Sequence, residues 1–155
     1  MRLIIDADSI IFASAITCDT LEEAKGKFNS HLDYILKDLS DICEFDDIWV
    51  CNGSTNNFRV ELNKQYKANR TQERPSILSP LHKWVKEEFN SYWTSGYETD
   101  DVVATLWKQS VEELGINNVI IAANDKDYLQ FPCWFFDTYK SRRELTKITE
   151  EEANY

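Results

Sequence analysis

The chain is poor in paired cysteines, in histidine, in long apolar runs and in positive charge, and each scarcity removes a class of protein. Its four cysteines, Cys18, Cys43, Cys51 and Cys133, form no CxxC pair. They read as buried or incidental thiols in a reducing compartment rather than a zinc site or a disulfide framework. The two histidines, His31 and His82, fall on helical segments and read as surface residues, so zinc is disfavoured. No apolar run approaches the roughly 20 residues of a membrane-spanning helix. The apolar start is short and holds Asp6 and Asp8, unlike a secretory signal. A cytoplasmic protein with no membrane partner is expected. Lys and Arg number 17 against 27 Asp and Glu, a net charge of −10. That balance disfavours a simple polyanion binder, whose footprint is basic. It leaves room for local positive charge, or for acids that hold divalent cations. Repeats, low-complexity tracts and interdomain linkers are also missing, which leaves one domain.

What is present suits a globular core: 43% hydrophobic and 13% aromatic residues in a 155-residue chain. Leu3-Ile4-Ile5 is a short apolar run of the kind found in strands buried on both faces. A long helix follows, with Thr20-x-x-Glu23 as its capping box and Leu21, Ala24, Phe28, Leu32, Ile35, Leu36, Leu39 and Ile42 on a 3.6 period. Ile48 to Cys51 is a second strand. Residues 52 to 76 are polar with helix potential, Pro80 to Phe89 reads as a helix, and Tyr92-Trp93 as a short strand. The helix within GYETDDVVATLWKQ carries Val102, Val103, Leu106, Trp107, Val111 and Leu114, and stops at Gly115, a natural C′ residue. Val119 to Ala122 and Trp134 to Phe136 are further strands. Thr149 could cap a helix at the very end. Alternating strands and helices imply an α/β domain with a mainly parallel central sheet flanked by helices.

The acids cluster where those strands should end. Asp6 and Asp8 follow the first strand, Glu98, Asp100 and Asp101 follow Tyr92-Trp93, and Asp125 and Asp127 follow Val119 to Ala122. Sites in open parallel sheets form beyond the carboxyl ends of the strands. Seven carboxylates brought together there repel unless cations sit among them, and all-oxygen donors suit Mg²⁺ or Mn²⁺. Each acid also has a plain structural use. Ser95-x-x-Glu98 fits a capping box, acids in a first helical turn favour the macrodipole, and Asp125 after Asn124 could be an N-cap.

One basic island stands against the acidic total. Between Asn57 and Pro75, Arg59, Lys64, Lys67, Arg70 and Arg74 oppose Glu61 and Glu73, with Phe58 and Tyr66 interleaved. Cations for phosphate and an aromatic for base stacking are what single-stranded or frayed nucleic acid needs. A solvated amphipathic helix would carry the same charges. Lys140, Arg142, Arg143 and Lys147 form a weaker basic group at what looks like a hairpin turn.

Four stretches in order, LIIDADSIIFAS, FRVELNKQYKANR, GYETDD and NDKDYLQF, resemble the N-terminal resolvase-like (PIN-like) domain of the 5′-3′ exonuclease and flap endonuclease family. Phage 5′-exonucleases and the 5′-nuclease domain of DNA polymerase I are its small members. The resemblance spans nearly the whole chain. It implies a two-metal phosphodiesterase using Mg²⁺ or Mn²⁺, with Asp6, Glu98, Asp100, Asp125 and Asp127 as ligands and Asp101 as ligand or support. Asp6, Asp100, Asp125 and Lys67 are then the catalytic group, with Lys67 beside the scissile phosphate. Tyr66 matches a stacking position, Arg70 a phosphate clamp and Arg59 a supporting position in a helical arch around residues 53–76. Arg74 extends the same basic segment. The implied substrate is DNA with a 5′ end or flap, or the RNA of an RNA–DNA hybrid, in a host cytoplasm if the protein is phage-encoded.

Three departures qualify that expectation. Asn52 stands where many members carry an acid, and many carry a small or polar residue where Asp8 stands. The chain also ends before the family's helix–three-turn–helix region. A fragment, a split nuclease needing a complementary chain, or a minimal domain whose second metal site is in doubt are all consistent. Two other classes compete. One is a nucleic-acid-binding or interaction module with a degenerate metal site. The other is a haloacid-dehalogenase-type phosphotransferase, with Asp6 as nucleophile and Asp8 as acid/base, which leaves the basic island unexplained.

Overall fold

The computed structural model describes residues 1–42, 44–52, 75–89, 91–92, 99–124, 134–138 and 145–147. Strand β1 (Arg2–Asp6) is buried along its whole length, as its apolar run requires. It pairs in parallel with β2 (Asp47–Cys51) on one side and β3 (Val119–Ala123) on the other. Beyond β3 lies β4 (Trp134–Asp137), also parallel, and then β5 (Leu145–Lys147), which is antiparallel to β4. The order is β2-β1-β3-β4-β5. An antiparallel β4–β5 pair agrees with the expected hairpin, whose turn residues 139–144 lie outside the described residues.

Helix α1 (Asp8–Ile16), α2 (Leu21–Ser40) and α3 (Pro75–Glu88) cover one face of the sheet, and α4 (Thr99–Leu114) covers the other. Alternation along the strands divides the core accordingly. Leu3, Ile5, Ile120, Ala122 and Phe136 pack with Phe28, Leu32, Ile35, Leu78 and Leu81. Ile4, Val119, Ile121, Ala123 and Phe135 pack with Val102 and Val103.

Local signals account for most boundaries. Thr20 Oγ1 accepts from Glu23 N at 3.2 Å, while the Glu23 carboxylate accepts from Asp19 N at 3.3 Å, one residue before the expected partner. Gly115 closes α4 with φ +88° and donates its N–H to Val111 O at 2.9 Å, a left-handed end that favours glycine. Three expectations need correction. Helix α1 was not anticipated: SIIFASAI is apolar around its whole circumference, because the helix lies between the sheet and α2 and α3, and so shows no amphipathic period. Helix α3 begins at Pro75, not Pro80, which sits exposed inside it. The strand at Tyr92 is a single parallel bridge to Cys51, with Trp93 outside the described residues. Of the expected arch around residues 53–76, residues 53–74 lie outside them and 75–76 begin α3, and the terminal helix after Thr149 also lies outside them. No helix among the described residues is long and apolar enough to cross a membrane.

Candidate active site at the carboxyl ends of the strands

The chain leaves β1 toward β2 on one side and returns to β3 on the other, so the sheet reverses direction at β1. Crevices at such points, beyond the carboxyl ends of the strands, are where open α/β sheets bind ligands. Asp6 is the last residue of β1 and is buried, with 7% of its surface exposed. Ala7, at the N-cap of α1, makes no side-chain cap; instead Asp6 Oδ1 accepts from Asp8 N at 3.1 Å. The carboxylate thus satisfies a helix-terminal N–H while staying at the sheet edge.

Asp8 opens α1. Its carboxylate accepts a hydrogen bond from Thr99 Oγ1, the first residue of α4. His82 Nε2 lies 3.8 Å from Asp8 Oδ1. Lys86, one turn further along α3, has its pKa lowered by burial, against which the Asp8 charge acts. Cys51 pairs with Asp6 across the β1–β2 ladder. Burial pushes its thiol well above the ordinary range, and the charges of Asp6 and Asp8 push it further. Such a thiol stays protonated and inert.

Asn52 is fully buried just past β2, and neither its Oδ1 nor its Nδ2 has a hydrogen-bond partner among the described residues. Its backbone is fixed, with N donating to Tyr92 O at 3.0 Å. An orphaned amide costs about 1–3 kcal/mol, and such a group calls for an explanation in a ligand, a water or an ion. The donors on the two adjacent strand ends, carboxylate oxygens of Asp6 and Asp8 and the amide oxygen of Asn52, are hard oxygens. Oxygens of this kind suit Mg²⁺ or Mn²⁺ rather than a soft metal, though the oxygens of Asp8 already face Thr99 and His82.

Asp100 and Asp101 are the second and third residues of α4, and Asp101 is exposed. Asp125 and Asp127, which follow β3, lie outside the described residues, as do Glu98 and the basic residues Arg59, Tyr66, Lys67, Arg70 and Arg74. The structure therefore brings Asp6, Asp8 and the start of α4 together at one edge. The described residues form no group of three His, Cys, Asp or Glu placed to hold a metal. The basic segment runs directly into α3.

His82 corrects the sequence reading: it is 1% exposed and stands beside an acid of the site. Its signal was in the sequence. Leu78, Leu81, His82 and Val85 share one stripe of α3, so the ring had to turn inward with them.

The fold is an α/β sheet with a buried carboxylate at the end of β1, linked through Asp8 to the first residue of a helix that carries two more acids. The chain belongs to the family described as 5′-3′ exonuclease, N-terminal resolvase-like domain, which it matches over residues 1–153. It is 30% identical over 140 residues to the 5′-3′ exonuclease of Buchnera aphidicola subsp. Acyrthosiphon pisum, covering 83% of this chain and 47% of that protein. It is 36% identical over 78 residues to DNA polymerase I of Chloroflexus aurantiacus, 47% of this chain and 8% of that protein. A similar 35% over 82 residues relates it to DNA polymerase I of Rhizobium leguminosarum. The chain thus spans about half the length of the exonuclease and a small part of the polymerases.

Proposed function

We propose that this chain is a divalent-metal-dependent nuclease domain that hydrolyses phosphodiester bonds of DNA, or of RNA in a hybrid, from 5′ ends or at 5′ flaps. The observation that carries the reading is the buried carboxylate of Asp6 at the end of β1, which holds the backbone of Asp8, whose own carboxylate is bound by the first residue of α4. Membership of the exonuclease family supports it. Asp6, Glu98, Asp100, Asp125 and Asp127 hold two Mg²⁺ or Mn²⁺ ions, with Asp101 as ligand or support. When bound, such ions polarise the phosphate and lower the pKa of an attacking water. Lys67 neutralises charge that builds on the phosphate in the transition state. Tyr66 stacks on a base, and Arg59, Arg70 and Arg74 grip phosphates in an arch over residues 53–76. Asn52 supplies a neutral donor where a carboxylate would bind a cation more strongly, which weakens one corner of the site.

The test is cleavage of a 5′-flap DNA, labelled at each end in turn, with Mg²⁺, Mn²⁺ or EDTA. Metal-dependent cutting that Asp6→Asn abolishes supports the reading, and the labels give its polarity. Asn52 also favours a second reading, a binding module that docks nucleic acid or needs a complementary chain with the helix–three-turn–helix segment. DNA bound in Mg²⁺ but left uncut would favour that module.

A further inference from the structure

Asp8 stands where the two helical layers meet above the sheet edge. Helices α1 and α3 cover one face, and α4 covers the other. Three elements nevertheless converge on this one side chain: α1 carries it, α3 brings His82 Nε2 to 3.8 Å, and α4 donates the hydroxyl of Thr99. Its backbone N–H is in turn held by Asp6 Oδ1 at 3.1 Å. Thr99 is 5% exposed, so water competes poorly for that bond. Asp6, Asp8 and Thr99 thereby form a continuous link from the end of β1 to the first residue of α4. A helix is stiff, so fixing its first residue fixes the height and rotation of the next two, Asp100 and Asp101.

We propose that Asp8 is a positioning residue, whose bond to Thr99 sets the first turn of α4 at the spacing from Asp6 that a divalent cation requires. This rests on the cation-site reading above. Asp8 is not itself a ligand in this account. Its two carboxylate oxygens are already engaged, Oδ2 accepting from Thr99 Oγ1 and Oδ1 facing His82 Nε2. The link also explains why a chain with so many exposed acids places one against a buried histidine.

Mn²⁺ binding to the full chain, followed by the loss of the free-ion electron paramagnetic resonance signal, tests this without relying on turnover. Urea unfolding in EDTA reports folding separately. Removing a partner that orients metal ligands costs roughly 10–100-fold in affinity. Thr99→Val is therefore expected to weaken Mn²⁺ binding by about tenfold or more, and Thr99→Ser, which keeps the hydroxyl, to restore it. Thr99→Ala serves the same purpose should the valine variant fail to fold. Asp8→Asn keeps an acceptor for Thr99 and is expected to lose no more affinity than Thr99→Val. Wild-type affinity in a folded Thr99→Val or Thr99→Ala chain overturns the proposal. So does a loss in Asp8→Asn far greater than in Thr99→Val, which would make Asp8 a ligand. A wild-type chain that binds no Mn²⁺ would overturn the cation-site reading, and this inference with it.

Discussion

Replacing Arg2 with methionine removes a staple at the opposite edge of the sheet from the acids. Arg2 is 5% exposed. It donates to Asp47 Oδ2 at 3.1 and 3.3 Å, to Ser110 Oγ at 2.9 Å and to Glu113 Oε2 at 3.1 Å, and it lies 3.8 Å from the centre of the Trp49 ring. One side chain thus ties β1 to β2 and to the last turns of α4. Methionine keeps the apolar stem and deletes the polar head. Asp47 and Glu113 are about half exposed and rehydrate, so those pairs contribute only ~0–1 kcal/mol each. The stacked cation adds about 0.5–2 kcal/mol. Ser110 is fully buried, and losing its partner costs about 1–3 kcal/mol, less if the hydroxyl turns back to its own helix. The expected loss is about 3 kcal/mol, a large share of a typical stability of ~5–15 kcal/mol. With a urea slope of about 1–3 kcal/mol/M, the unfolding midpoint falls by roughly 1–3 M. Mn²⁺ affinity of the folded variant stays unchanged, because Arg2 and Asp6 are separated by about 13 Å of strand. An unchanged or raised midpoint would refute the estimate. It would mean that stripping water from the guanidinium costs as much as its four contacts return.

Asn52→Asp places a second buried carboxylate next to Asp6 and Asp8. Without metal it is expected to destabilise by about 2 kcal/mol or more, and with Mn²⁺ its melting temperature is expected to rise more than that of wild type. Equal shifts in both proteins would detach Asn52 from the cation site. At the other edge, the Met1 amine 2.8 Å from Asp46 holds that carboxyl below its ordinary range. A depressed carboxyl lends stability above its unfolded pKa and loses it as pH falls through the folded value. The melting-temperature gap between wild type and Asp46→Asn should therefore exist at neutral pH, stay small because Asp46 is exposed, and vanish in acid.

The parallel sheet was legible because its strands are short apolar runs separated by helical patterns. Thr20 and Gly115 marked helix ends because caps are local chemistry. What escaped the sequence was tertiary. Helix α1 has no polar face to give it a period, and the inward turn of His82 follows from the stripe it shares with Leu78 and Val85. Asp8 looked like one more acid in a cluster; only the meeting of α1, α3 and α4 gives it a role apart from Asp6. The acids after β3 and the basic segment before α3 are placed by chain order alone.

The ladder that joins Arg2 to Val119 also sets a schedule. Of the described strands β1 is made first, yet its second neighbour follows only after β2, α3 and α4 have been made. Parallel pairings this distant in sequence form slowly, and the exposed β1 edge invites wrong partners until β3 arrives. Helices α1 and α2 can cover one face of β1 early, but the face meant for α4 stays open. The carboxylate of Asp8 and the first residue of α4 are therefore brought together late in folding. A partly folded chain cannot assemble the strand-end site, and in the nuclease reading cutting must wait for the finished sheet.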